Sequence, residues 1–200
     1  MLALGALAAA TLGVSPAAGQ SAGGQLRGAE LLAALRAGGF ILYFRHADTD
    51  HSQNDQSLDD CARQRNLTDR GREHARAIGE AIRALAIPIG PVRASPMCRT
   101  VETAMLIFGT AERSPATREA GPQPPGTPER YSALRALLST PPPAGVNAVI
   151  VGHGYPFYSL VRGQMLEEGE AAIVRPGSGG FEVVARLGLK EWRELAGPPA

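Results

Sequence analysis

Five consecutive apolar residues, Phe40-Ile41-Leu42-Tyr43-Phe44, run directly into Arg45-His46. An apolar run of this length, rich in Phe, Ile and Tyr, reads as a buried strand. Where such a strand ends, the chain leaves the core and faces a crevice, the place where open α/β sheets bind ligands. A fixed cation beside a titratable nucleophile suits an anionic, electrophilic substrate, and phosphate is the obvious candidate.

The alternation of elements along the chain fits that strand. Glu30 to Arg36 carries Leu31, Leu32 and Leu35 at helical spacing and stops at Gly38-Gly39. After His46 comes a polar segment, Asp48 to Asn66, long for a connection and expected to line the mouth of a site. Thr68 caps a predicted helix from Asp69 to about Ala86, with Ala75, Ile78, Ala81, Ile82 and Leu85 on one face. Val92-Arg93-Ala94 reads as a short strand, and Ser95-Pro96 as the cap and first position of a helix to about Phe108. Ala111 to Thr127 reads as loop and Pro128 to Ser139 as an amphipathic helix. Ala148-Val149-Ile150-Val151 is a second buried strand, ending at Gly152-His153-Gly154, with a helix around Tyr158–Leu166 after it. Ala171–Val174 and Phe181–Leu187 complete the pattern as two closing strands. The expectation is a single three-layer α/β/α sandwich, residues 25–200, around a mostly parallel sheet.

Charge and composition narrow the partners. With 20 basic and 19 acidic residues the net charge is only +1, which argues against a nucleic-acid surface. Aromatic residues make up 5% of the chain, too few for base-stacking platforms. Leu2 to Val14 contains only Leu, Ala, Gly, Thr and Val, and small residues follow. Residues 1–24 therefore read as a cleaved secretory signal peptide, with a buried Ala-rich helix as the alternative. The run is too short to anchor the mature protein in a bilayer. The expected location is periplasmic or secreted. In that setting Cys61 and Cys98 are expected to pair, with about 3–4 kcal/mol from loop closure. Two free buried thiols are the alternative that spacing leaves open.

Basic groups stand at three strand ends: Arg45 and His46, then Arg99, then His153. If the strands are neighbours, the four side chains converge. Arg99 also lies in the first turn of a helix, whose N-terminus favours anions. Two guanidiniums can hold phosphoryl oxygens bidentately. Arg45-His46-Ala47 resembles the Arg-His-Gly signature of the histidine phosphatases, the phosphoglycerate-mutase-like superfamily. Ser95-Pro96-Met97-Cys98-Arg99-Thr100-Val101-Glu102-Thr103 is similar to its Ser-Pro-x-x-Arg-x-x-x-Thr segment, and Gly152-His153-Gly154 to its late strand-end histidine.

The resemblance implies a phosphoglycerate-mutase-like fold and phosphomonoester hydrolysis without a cofactor or metal. His46 would be the nucleophile and form a phosphohistidine. Arg45, Arg99 and a protonated His153 would hold the phosphoryl oxygens. Ala47 replaces the usual Gly, and Gly154 replaces the Asp that follows the late histidine in the acid phosphatase branch. The general acid is then sought in the middle insertion, among Glu112, Glu119 and Glu129. Glu119 is the choice and Glu168 the alternative, with Asp48 and Asp50 as further carboxylates. Glu102 is placed to orient Arg99 along its helix, and Arg63 or Arg65 to reach a second anionic group. His51 and His74 read as surface residues. The short insertion predicts an open site that admits phosphorylated small molecules, envelope sugars or phosphoproteins. The competing expectation is a phosphate-ligand binding protein of the same fold that lacks efficient catalysis.

Overall fold

The computed structural model describes residues 25–118 and 128–197. The predicted leader and Glu119 lie outside the described residues. In chain order the elements are α1 (Gly28–Ala37), β1 (Ile41–Arg45), α2 (Asp69–Ala84), β2 (Ile89–Ala94), α3 (Cys98–Phe108) and β3 (Glu112–Arg113). Then follow α4 (Ser132–Ser139), β4 (Asn147–Gly152), α5 (Gly154–Val161), β5 (Ala171–Gly177), β6 (Gly180–Leu187) and α6 (Leu189–Ala196). The strands form one six-stranded sheet in the order β3-β2-β4-β1-β5-β6. β3, β2, β4 and β1 run parallel, while β5 and β6 are antiparallel additions at one side.

The alternation of side chains along β1 explains why that strand is apolar at every position. Leu42 and Phe44 face a core shared with Ile78 and Ile82 of α2 and Trp192 of α6. Ile41 and Tyr43 face a second core with Leu134 and Leu138 of α4 and Phe157 of α5. Both faces of the sheet are thus covered, which is the expected three-layer sandwich. Each such side chain contributes roughly 1.5–3 kcal/mol on burial.

Local chemistry sets the ends of the elements. The Thr68 hydroxyl accepts the Gly71 amide proton at 2.9 Å and starts α2 as the sequence implies. α1 stops at Gly38, whose φ of +80° suits glycine and where a Cβ would lie 2.6 Å from the Val146 nitrogen. Buried Asn147 then fastens the entry to β1. Its amide donates to the carbonyls of Leu35 and Pro88, and its Oδ1 accepts from the Phe40 amide.

Four expectations about elements need correction. Ser95-Pro96 does not open α3: the helix begins at Cys98 with Met97 before it, because the Ser95 hydroxyl is engaged elsewhere. α5 starts directly after His153 and is complete by Val161, where Arg162 adopts a left-handed conformation. The stretch read as loop from Ala111 contributes the two-residue edge strand β3, paired with the end of β2. α6 was not anticipated, because Leu189, Trp192 and Leu195 are few apolar residues among many charged ones. Cys61 and Cys98 are bonded to each other, as expected. Among the described residues no helix is long and apolar enough to cross a membrane.

Trp192 is fully buried between α6 and the sheet. Trp192→Ala should cost about 3–5 kcal/mol in urea denaturation. A loss below about 1 kcal/mol would mean that α6 is not part of the core.

Candidate active site

The sheet order places β2, β4 and β1 side by side and parallel, so their carboxyl ends open at one edge. Register aligns Arg45 with Gly152 and Ala94 with Val151. The residues after each end, His46, His153 and Ser95, therefore meet. The rings of His46 and His153 lie 5.6 Å apart, edge to face. Arg99, the second residue of α3, comes in from the helix N-terminus. The four basic residues singled out in the sequence are thus brought together.

The backbone of His46 is clamped on both sides. Its amide donates to the Gly152 carbonyl and its carbonyl accepts from Gly169. The ring is almost wholly buried, with 2% of its surface exposed. Its Nδ1 lies 2.9 Å from the Ala47 carbonyl oxygen, which can only accept, so Nδ1 carries the proton. Nε2 keeps its lone pair. Burial foremost, with the nearby charges of Arg99, Arg45 and Arg65, lowers the pKa of His46 from 6.5 to about 3. The imidazole is neutral at physiological pH.

His153 is held by three hydrogen bonds from two residues. Its Nε2 pairs with the Ser95 hydroxyl at 2.9 Å, its amide donates to the Tyr43 hydroxyl, and that hydroxyl donates to the His153 carbonyl. The flanking glycines make this possible. A Cβ on Gly152 would lie 2.4 Å from the Tyr43 oxygen, and one on Gly154 would lie 3.2 Å from Arg45 Cδ. Burial foremost, with the nearby guanidiniums of Arg99, Arg65 and Arg45, pushes the His153 pKa well below 6.5. His153 is therefore neutral here, while the expected protonated form is that of a His153 lying between phosphoryl oxygens. Its protonation requires the charge of a bound anion.

The two arginines are fixed differently. Arg45 Nη1 donates to the Leu166 carbonyl and Nη2 pairs with Glu168 at 3.1 Å. Glu168 also accepts from the Thr49 amide and hydroxyl and stands 3.4 Å from His51. This carboxylate, read from the sequence as an alternative acid, positions Arg45 and ties down the start of the mouth segment. Arg99 Nη1 donates to both oxygens of Asp55, at 2.9 and 3.1 Å. Thr103 links the residue after His46 to Arg99: its hydroxyl accepts from the Ala47 amide and donates to the Arg99 carbonyl.

The segment from Asp48 to Asn66 folds over this cluster. Its ends meet through a bridge between Thr49 and Leu67, and the Cys61–Cys98 bond pins it beside Arg99. Gln64 adds two bonds, accepting from the Cys98 amide and donating to the Leu58 carbonyl. The expected open site is therefore roofed by this segment, and Arg99 and His153 are as inaccessible as His46.

Other candidates sit elsewhere. Asp48 binds Thr68 and Arg70, which hold its pKa low, and Asp50 binds Ser52 and Gln53 within its own turn. Glu112 is exposed on β3 near Arg93. Glu102 pairs with Arg72 of α2 at 2.7 Å rather than with Arg99, because successive turns of α3 face different partners. Arg63 is exposed, whereas Arg65 turns inward to His51 at 3.2 Å. Sequence reasoning missed Tyr43, Asp55 and the Ser95 contact. Only Ser95 carried a signal, its place in the Ser-Pro-x-x-Arg segment.

Two outcomes follow from this geometry. Gly152→Ala should displace the Tyr43 hydroxyl and shift the His153 chemical shifts in NMR spectra, whereas unchanged shifts would contradict the close approach. An unfolded histidine binds a proton near pH 6.5 while His46 in the fold does so only near 3. The contribution of this buried imidazole is thus complete above pH 6.5 and is lost as pH falls through that window. His46→Gln should flatten this acid limb in denaturation midpoints, and an unchanged limb would contradict it.

The histidine phosphatase superfamily (branch 1) profile matches residues 41–121, a span that includes Arg45, His46 and Arg99. No curated protein sequence matches the chain. Among solved structures, the protein histidine phosphatase SixA complexed with tungstate is similar over 77% of this chain and 99% of its own, at 20% identity and a TM-score of 0.53. A mutant phosphoserine phosphatase from Entamoeba histolytica in complex with phosphoserine is similar over 76% and 98%, at 14% identity and 0.53. YhfR from Bacillus stearothermophilus is similar over 73% and 95%, at 16% identity and 0.51. At these identities the likenesses concern the fold. Over residues 41–121, which carry the first two motifs, the chain is similar to the histidine phosphatase superfamily, and its fold is similar to that of the solved structures.

Proposed function

We propose that this protein is a phosphomonoester hydrolase that acts through a phosphohistidine on His46. The observation that carries this reading is the state of His46: buried, neutral, its Nδ1–H committed to Ala47, and its Nε2 lone pair set among the guanidiniums. Nε2 forms a bond to phosphorus as the bond from phosphorus to the ester oxygen breaks, and the leaving oxygen takes a proton. Water then attacks the phosphohistidine, releasing inorganic phosphate and restoring His46. Arg45, Arg99 and His153 hold the three equatorial oxygens and offset the charge that spreads over them. These groups supply the electrostatic work, so the reading requires no metal. The guanidiniums of Arg45 and Arg99 favour a dianionic phosphoryl group over a neutral ligand.

The substrate class is a phosphorylated small molecule, an envelope sugar phosphate or a phosphoprotein. The SixA neighbour is named as a protein histidine phosphatase, which keeps phosphohistidine protein among the candidates. The apolar leader and the disulfide together support an exported, periplasmic or secreted enzyme.

Hydrolysis of 4-nitrophenyl phosphate tests the reading. His46→Ala should lower kcat by on the order of 10⁴-fold or more, as loss of a nucleophile does. Arg99→Lys should lower kcat/KM by roughly 10²–10³-fold, because a lysine cannot reproduce the planar contact. Oxyanion binding with no turnover in the wild type would instead favour a phosphate-ligand binding protein.

A further inference from the structure

We propose that Asp55 is the general acid of this site, held in reserve on Arg99 until a phosphoryl group takes its place. The proposal rests on the hydrolase reading above. Cleavage of an ester whose leaving group is a poor anion needs a proton donor at the leaving oxygen. The carboxylates near the cluster divide clearly by what holds them. Glu168 is engaged by Thr49, Arg45 and His51 and anchors two elements. Asp48 and Asp50 serve the cap of α2 and a turn of the loop. The Thr49 contacts of Glu168 and the contacts of Asp48 and Asp50 involve no proposed phosphate ligand.

Asp55 differs, because apart from the Arg65 amide its partner is Arg99, a proposed phosphate ligand, whereas Glu168 meets another such ligand, Arg45, but is also held by Thr49. Both of its oxygens accept from Arg99 Nη1, and Oδ1 also accepts from the Arg65 amide at 2.9 Å. A carboxylate on a guanidinium has the same hydrogen-bond geometry as two phosphoryl oxygens. Asp55 therefore occupies Nη1, one of the donors that substrate requires. Its side chain is 35% exposed while that of Arg99 is 3% exposed, so Asp55 lies on the solvent side of the arginine. In-line attack by the buried His46 Nε2 sends the leaving oxygen outward, towards that side.

Exchange on Arg99 changes the chemistry of Asp55. Before substrate binds, Asp55 is paired with Arg99. Once a dianion sits on Arg99, Asp55 loses its cation and faces negative charge, and both changes favour its protonated form. The proton comes from solvent at the loop surface. Asp55 then gives that proton to the leaving oxygen as the bond from phosphorus to oxygen breaks and the bond from Nε2 to phosphorus forms. In the second step the Asp55 carboxylate takes a proton from the attacking water, and that proton returns to solvent as phosphate leaves and Asp55 pairs with Arg99 again. The Cys61–Cys98 bond and Gln64 keep the loop within reach of Arg99 throughout.

The test compares two esters and one inhibitor across Asp55→Asn, Asp55→Glu and the control Asp50→Asn. The esters are 4-nitrophenyl phosphate, which leaves without help, and an alkyl phosphate such as glycerol phosphate, which does not. Asp55→Asn should lower kcat for the alkyl ester by roughly 10²–10⁴-fold and for the nitrophenyl ester by less than about tenfold. The same variant should bind tungstate more tightly than the wild type, since the competing carboxylate is weakened. Asp55→Glu should recover part of the alkyl activity, which also shows that losses in Asp55→Asn do not come from misfolding. Asp50→Asn should match the wild type. Equal losses with both esters, or no loss with either, would overturn the proposal while leaving the hydrolase reading intact. A wild type that hydrolyses neither ester would overturn both.

Discussion

The hydrogen bond from His46 Nδ1 to the Ala47 carbonyl decides which nitrogen of a buried imidazole keeps its lone pair. The rest of the site is arranged around that choice. An imidazolium here would have no lone pair to use, and burial together with Arg99 and Arg45 removes that option by lowering the pKa to about 3. The backbone of His46 is fixed by Gly152 and Gly169, so the ring cannot drift from its orientation. Thr103 carries the same constraint to Arg99 by bonding both the Ala47 amide and the Arg99 carbonyl. The chain at His46-Ala47 and that at Arg99 are therefore tied to one hydroxyl.

The electrostatic balance of the pocket is a second constraint. Buried guanidiniums are costly without a compensating charge. Arg45 is compensated by Glu168 and Arg99 by Asp55, yet the two carboxylates are placed for different ends. Glu168 is nearly buried and bonded to the chain at Thr49, so its pairing is permanent architecture. Asp55 sits on a loop held at its ends and beside a disulfide, where a partner can be exchanged without disturbing the sheet. A site that must hold cations in a core and still accept a dianion needs one counter-charge of each kind.

Legibility in the sequence followed the range of the interaction. β1 and β4 were readable because burial on both faces leaves continuous apolar runs, and the residues just past them pointed to the site. Short motifs placed Arg45, His46, Arg99 and His153 correctly for the same reason: each is fixed by a strand end or a helix start. The Asp55–Arg99 contact spans 44 residues and joins a loop without periodicity to a helix, so nothing local marks Asp55 among its acidic neighbours. Ser95 was misread because Ser-Pro is also a helix-start signal, whereas here the hydroxyl serves His153. Glu102 was misassigned because spacing along one helix says nothing of Arg72 on the helix packed beside it. α6 escaped notice because one large residue, Trp192, does most of its packing.

The central claim is that His46 Nε2 becomes covalently bonded to phosphorus during turnover. The most direct measurement is rapid quenching of the enzyme with ³²P-labelled phosphoester, followed by peptide mapping under alkaline conditions that preserve phosphohistidine. The account predicts acid-labile label on the peptide containing His46, lost on chasing with unlabelled ester and absent in His46→Ala. Turnover with no label on that peptide, or with label retained in His46→Ala, would contradict it.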